Sequence, residues 1–238
     1  MQKIIWIAAA AFCLALCGCA GRPSQAELDA AKQQAIYASD GAAWARLNDW
    51  ANQHDPAAAR SLAEAYAASG TPQAWSQAAP WFQRAAEWGD GLAAFRLAKL
   101  YAKGLGVKPS RAQSNHWLHV AAERQQADAA CVLGLRAKDA GDVMAAKQWF
   151  EQAAAHGSAE AMFQLGIAYQ EGIGVPADAK RALDWYERSA KLEMPAALQT
   201  LAMAYQAGDL GLPRDEIKAS EMFNLAAHAI HDFESEVF

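Results

Sequence analysis

Apolar residues recur along this chain at helical spacing, and the helical pattern itself recurs at a longer period. A leucine followed by a small residue stands at Leu62-Ala63, Leu97-Ala98, Leu133-Gly134, Leu165-Gly166 and Leu201-Ala202, at offsets of 35, 36, 32 and 36 residues. Four residues after each leucine come Tyr66, Tyr101, Ala137, Tyr169 and Tyr205. A second signature lies downstream at Trp81-Phe82, Trp117-Leu118, Trp149-Phe150, Trp185-Tyr186 and Met222-Phe223, each followed by a small pair such as Ala85-Ala86 or Ser189-Ala190. Within each half the spacings are three and four, which predicts amphipathic helices. Between the halves, the glycines of Gly104-Leu105-Gly106-Val107 and Gly172-Ile173-Gly174-Val175-Pro176 can take the positive φ that ends a helix and turns the chain. The pattern therefore predicts a helix hairpin written about five times. Its small residues let two helix axes approach closely, and the large Tyr and Trp side chains fill the space beside them.

Two repeats depart from the pattern. The first replaces the Gly-x-Gly loop with Gly70-Thr71-Pro72, and the third shortens the loop around Gly141 and carries Ala137 in place of tyrosine. Upstream, Ala43, Leu47 and Ala51 lie 35 residues before Ala78, Phe82 and Ala86, so residues 27–56 read as a degenerate capping unit. The terminal unit of a stacked array needs an atypical outer face because nothing stacks on it. The expected organisation is a leader at 1–18, a tether at 19–26, the capping helices at 27–56, the repeats at 57–230 and a tail at 231–238.

The clearest copy of the unit runs from Ala161 to Leu192, with Leu165, Gly166, Tyr169, Gly172, Gly174, Val175, Asp178, Ala182, Trp185, Tyr186 and Ala190. This closely resembles the Sel-1-like repeat, a relative of the tetratricopeptide repeat. The resemblance implies an all-α fold, a right-handed α-solenoid of about five hairpins behind the N-terminal cap, with protein binding as its general role. In tetratricopeptide relatives the first helix of each pair lines a concave groove. Carried over, that geometry places Arg60 and Glu64, Phe95 and Lys99, Cys131 and Leu135, Phe163 and Ile167, and Gln199 and Met203 on the groove face. These are the positions two before and two after each repeat leucine. The stripe would be charged in the first unit and apolar in the middle, and an exposed apolar stripe marks a partner site. The alternative is that some of these side chains pack against the adjacent first helix.

The N-terminus reads as an address. Lys3 precedes an apolar run from Ile4 to Leu16, the n-region and h-region of a secretory signal, and the run is short for a membrane span. Leu16-Cys17-Gly18-Cys19 resembles a bacterial lipobox, which implies cleavage after Gly18 and lipidation of Cys19. Ala20, in place of an aspartate, implies by the same resemblance an outer-membrane lipoprotein facing the periplasm. Cys131 would then be the remaining free thiol, so no internal disulfide is expected.

Composition agrees with packed helices. Alanine fills 60 of the 238 positions, while Gly (16) and Pro (8) are too few for a collagen-like or disordered chain. The acidic balance, a net charge of -5, gives no electrostatic footprint for DNA or RNA, and no nucleic-acid partner is expected. From Asp209 onward seven acids face only Arg214 and Lys218, an acidic end that either steers a basic partner or solvates a capping face.

Candidate chemistry is sparse. No phosphate loop and no G-x-S-x-G stands in the chain, so no catalytic residue and no cofactor are expected. His116 and His119 share a helix face with Glu123, and His228, His231 and Asp232 form a second cluster; both spacings are loose for zinc, and no metal site is expected. The favoured reading is a lipid-anchored periplasmic interaction module, a scaffold or assembly factor holding another envelope protein in its groove. The second is an immunity protein against a type VI secretion effector such as a lipase, a role the resemblance also covers. An enzyme acting on cell-wall material is the third.

Overall fold

The computed structural model describes residues 22–236, with side chains described as far as residue 230. Cys19, the leader and the start of the tether lie outside the described residues, as do the side chains of His231 and Asp232. The described chain is all-α. Its helices are α1 (Gln25–Tyr37), α2 (Gly41–Asn52), α3 (Pro56–Ala67), α4 (Pro72–Glu87), α5 (Gly91–Lys103), α6 (Arg111–Glu123), α7 (Ala127–Asp139), α8 (Val143–Ala155), α9 (Ala159–Glu171), α10 (Ala179–Ala190), α11 (Pro195–Ala207) and α12 (Glu216–Glu236). Among the described residues no helix is long and apolar enough to cross a bilayer.

Each predicted hairpin is present, and its two helices make their tightest contacts with each other: α3 with α4, α5 with α6, α7 with α8, α9 with α10, α11 with α12. The repeat motif explains that closeness. In the fourth hairpin a Cβ added at Gly166 would stand 2.5 Å from the Tyr186 ring, and in the third a Cβ at Gly134 would stand 2.6 Å from Phe150. The small residue after the repeat leucine is therefore the seat of the aromatic one helix later. Tyr186 is fully buried, and its hydroxyl donates to Gln170 Oε1 at 2.6 Å. Burial pushes its phenol up to about 12.

The turns are built from equally local parts. Gly172 and Gly208 close α9 and α11 in the left-handed region, at φ of 73° and 74°. The carbonyl of the repeat tyrosine then accepts the backbone N–H of the residue that opens the second helix: Ser110 to Tyr101, Asp178 to Tyr169, Asp215 to Tyr205. The third hairpin lacks the tyrosine but keeps this bond, from Asp142 to the Ala137 carbonyl, across a shorter loop. Side chains cap the next turns, with Ser110 Oγ accepting from Gln113 N–H, Asp142 Oδ1 from Ala145 and Asp178 Oδ1 from Arg181. In the first hairpin Thr71 caps α4 and Pro72 takes its first position, which is why a Gly-x-Gly loop is dispensable there.

The helices group into two compact units, residues 22–90 with 105–108 and residues 91–104 with 109–236. In the first, α1 packs on both α2 and α3, burying Leu28, Ala31 and Ala35. In the second, Tyr186, Ala182, Leu201, Ala204 and Leu210 form one cluster, against which Phe163, Ile167 and Tyr169 pack.

Candidate functional site

The ten positions expected to line a groove take three different environments. Arg60 and Glu64 on α3 are half-buried in an ion-pair lattice. Arg60 Nε meets Asp90 Oδ2 at 2.9 Å and its Nη1 meets Glu64 Oε1 at 3.5 Å, while Lys32 of α1 reaches Glu64 Oε2 at 2.7 Å. Gln25 Oε1 accepts from Arg60 Nη2 at 3.5 Å, a second tie to α1. Burial alone would lower the Arg60 pKa, but Asp90 and Glu64 outweigh it and the guanidinium is held above its ordinary value. The charged first unit thus faces its own chain, not open solvent.

The apolar middle of the expected stripe is not open either. Phe95 is only 6% exposed, and Lys99 folds over it with Nζ 4.7 Å from the ring centre. Cys131 is 5% exposed and its thiol bonds with Ser158, the residue that caps α9. Burial pushes the thiol up to about 11, so it is protonated and unreactive at neutral pH. Leu135 is half-buried. Phe163 and Ile167 are half-buried against the Tyr186 cluster, Phe163 with its ring centre 5.6 Å from that of Tyr186. The expectation of an exposed apolar stripe fails here because the residues two before and two after the leucine still lie on the inner half of the helix, where neighbouring elements cover them.

Lys99 is exposed above the buried Phe95, and only in the last pair are both members open. Gln199 is exposed, and Met203, one turn further along α11, is 54% exposed. Gln199 lines a cleft of about 790 Å³ formed by the start of α9, the α10–α11 turn, α11 and α12, with Leu192, Met194, Pro195 and Ile230 in its walls and Glu160 and Glu193 at its rim. Leu192 and Ile230 are 49% and 39% exposed, so the surface is apolar and unfilled. The first unit carries a separate cleft of about 730 Å³ beside Trp44 and Tyr66, whose ring centres lie 4.9 Å apart.

The histidines meet aromatic edges. His116 lies 5.0 Å from the Trp117 ring and His119 5.4 Å from Trp149, both at steep angles. His228 is exposed. Among the described residues no group of three or more His, Cys, Asp or Glu side chains gathers at metal-binding distance.

The Sel1 repeat model matches residues 56–90, 91–125, 129–158, 159–194 and 195–231. In structure the chain is similar to a Sel1 repeat protein from Oxalobacter formigenes, at 27% identity and a TM-score of 0.72, covering 85% of this chain and 82% of that one. It is also similar to c5321, a protective antigen of uropathogenic Escherichia coli with an SLR fold, at 27% identity and a TM-score of 0.71. That match covers 87% of this chain and 46% of the antigen, so the chain spans less than half of that protein. An immunity protein from Pseudomonas aeruginosa, Pa5087, shares the fold at 17% identity and a TM-score of 0.54, over 87% of this chain and 83% of that one. No curated protein matches the chain in sequence. Five tandem hairpins built on one leucine, one small residue and one aromatic seat, matched over most of their length, place this chain in the Sel1 repeat family of α-solenoid proteins.

Proposed function

We propose that this protein is a lipid-anchored interaction module of the bacterial envelope, tethered through Cys19 to the periplasmic side of the outer membrane, and that its distal cleft takes a protein partner. Sel1-repeat proteins act as protein–protein interaction modules. The observation that carries the site is an apolar concavity at an open groove position, where Gln199 stands exposed in a cleft walled by Leu192 and Ile230 and Met203, one turn further along α11, is exposed as well. Apolar surface left unfilled on a folded chain is the usual seat of a partner. We assign no catalytic role. The two groups most displaced toward high pKa, Cys131 and Tyr186, are displaced by burial and away from reactivity. Neutralisation of a secreted effector would use the same surface, and no residue of this chain favours it over a scaffold.

The test is a crosslinking pull-down from membranes with the intact protein and with a Gln199→Asp/Met203→Asp variant. A partner recovered by the first and lost by the second supports the reading. Equal recovery from both removes the distal cleft as its site. Cys19→Ser should release the protein from the membrane fraction, and continued membrane association overturns the lipid anchor.

A further inference from the structure

One junction of the second unit departs from the repeat in a coordinated way. Three residues after the repeat leucine the chain carries Ala65, Leu100, Arg136, Ala168 and Ala204, and four of these five are apolar. Ala65, Leu100 and Ala204 are buried, so this is an inward position, and the third hairpin fills it with a guanidinium. Three residues before the second signature the chain carries Ala78, Ser114, Ala146, Ala182 and Ala219, all buried. Here the second hairpin alone replaces alanine with a hydroxyl. The two exceptions meet: Arg136 Nη2 donates to Ser114 Oγ at 3.4 Å, and Nη1 donates to Asn115 Oδ1.

The place where they meet is a cleft of about 470 Å³, walled by Tyr101, Pro109, Ser110, Arg111, Ser114 and Arg136. The Arg136 pKa is lowered, first by burial and then by the charge of Arg111, so the two cations lie close enough to repel. Among the described residues neither arginine has a carboxylate within ion-pair distance. In sequence, residues 91–104 and 109–138 hold seven Lys and Arg against two acids, Glu123 and Asp128, in a chain whose net charge is -5.

The geometry points to an oxyanion site in this cleft, with Arg111 and Arg136 as its cations and the Ser114 hydroxyl, which accepts from Arg136, left to donate. The ligand is a carboxylate from an acidic segment of a protein partner. Arg136 is held in place by Asn115 and Ser114, and among the described residues no hydrogen bond or ion pair engages the Arg111 side chain, which leaves its planar fork open to a flat two-oxygen acceptor. The choice of a protein as the source rests on the interaction-module reading above.

The experiment is a fluorescence-anisotropy titration of the intact protein with a labelled hexaglutamate peptide, and with hexaglutamine as its neutral counterpart. Hexaglutamate should bind with an affinity that falls as salt rises, and hexaglutamine should not. Arg111→Gln should weaken hexaglutamate binding tenfold or more, and so should Arg136→Leu, which installs the residue the second repeat carries as Leu100. Circular dichroism of both variants matching the parent keeps the loss local. Absence of hexaglutamate binding, or binding unchanged in both variants, overturns the site. Displacement of the peptide by inorganic phosphate at lower concentration than by glutarate overturns the carboxylate assignment. Phosphatidylglycerol vesicles that bind the parent but not Arg136→Leu would move the ligand to a lipid headgroup and overturn the protein source. The titration uses a peptide and not the cellular partner, so its failure leaves the distal cleft untouched and its success stands whatever the pull-down returns.

Discussion

On α3 the two positions that flank the repeat leucine, Arg60 and Glu64, are wrapped in ion pairs with α1 and Asp90; on α11 the same two positions, Gln199 and Met203, meet solvent. The repeat register places both pairs on the same side of equivalent helices. It does not decide what covers them. On α3 an extra helix of the chain itself lies against that side, docked by Leu28, Ala31 and Ala35 and tied by Lys32. On α11 the neighbouring α12 leaves a cleft. A repeat face is therefore a binding surface only where the chain does not occupy it.

The largest effect that breaks this contrast comes from unseating α1. Leu28 is 1% exposed, and Leu28→Ala should cost about 2–4 kcal/mol in urea unfolding through lost burial and the cavity left behind. It should also raise hydrogen exchange on α3. A change below about 1 kcal/mol with no added exchange would mean that α1 does not hold the α3 face closed.

Arg60→Ala is smaller, about 1–3 kcal/mol, because Asp90 and Glu64 lose a half-buried charged partner while keeping some access to water. A Met203→Asp substitution on α11 should leave stability within about 0.5 kcal/mol. Equal costs at the two helices would erase the distinction between a sealed face and an open one.

Cys131 sits at the matching position of α7 and provides an intermediate case. Its folded pKa of about 11 lies above its ordinary value near 9, so the folded state keeps the proton longer than the unfolded state does. The stability it contributes is present below pH 9 and falls as pH rises through 11. Cys131→Ala should flatten that part of the alkaline decline, and an unchanged pH profile would place the thiol in contact with water.

The smallest expected effect has the opposite sign. Ser61, fully buried on α3 next to Arg60 in sequence, has a hydroxyl with no hydrogen-bond partner among the described residues. Ser61→Ala should stabilise the protein by up to about 1 kcal/mol, measured by the same urea series. A loss of that size would reveal a partner for the hydroxyl and a more polar α3 interior than the contrast assumes.

Much of the fold was legible because its determinants are local and repeated. The seat at Gly166 and its occupant Tyr186 are both written in the motif, as are the glycines that end α9 and α11. The site was less legible. Lys32 and Glu64 are 32 residues apart and belong to no shared motif, so nothing in the repeat announces that α1 covers α3. Phe95 and Cys131 read as an exposed stripe because a two-residue offset from a buried leucine looks outward on an isolated helix, while in the packed array neighbours reach past it. The Arg136 cleft had a signal, visible when each repeat position is compared across all five copies. That comparison turns one arginine among four apolar residues, and one serine among four alanines, into a single feature.

The glycine seat and its aromatic occupant lie within one hairpin, 16 residues apart for Gly134 and Phe150 and 20 for Gly166 and Tyr186. A duplicated stretch of one repeat therefore inherits both halves of its tightest contact at once. A lineage can lengthen or shorten such a protein by whole hairpins, each arriving with its closure already made, and only the surfaces between hairpins must be negotiated afresh. Those negotiated surfaces are where a polar departure such as Arg136 with Ser114 can enter and persist.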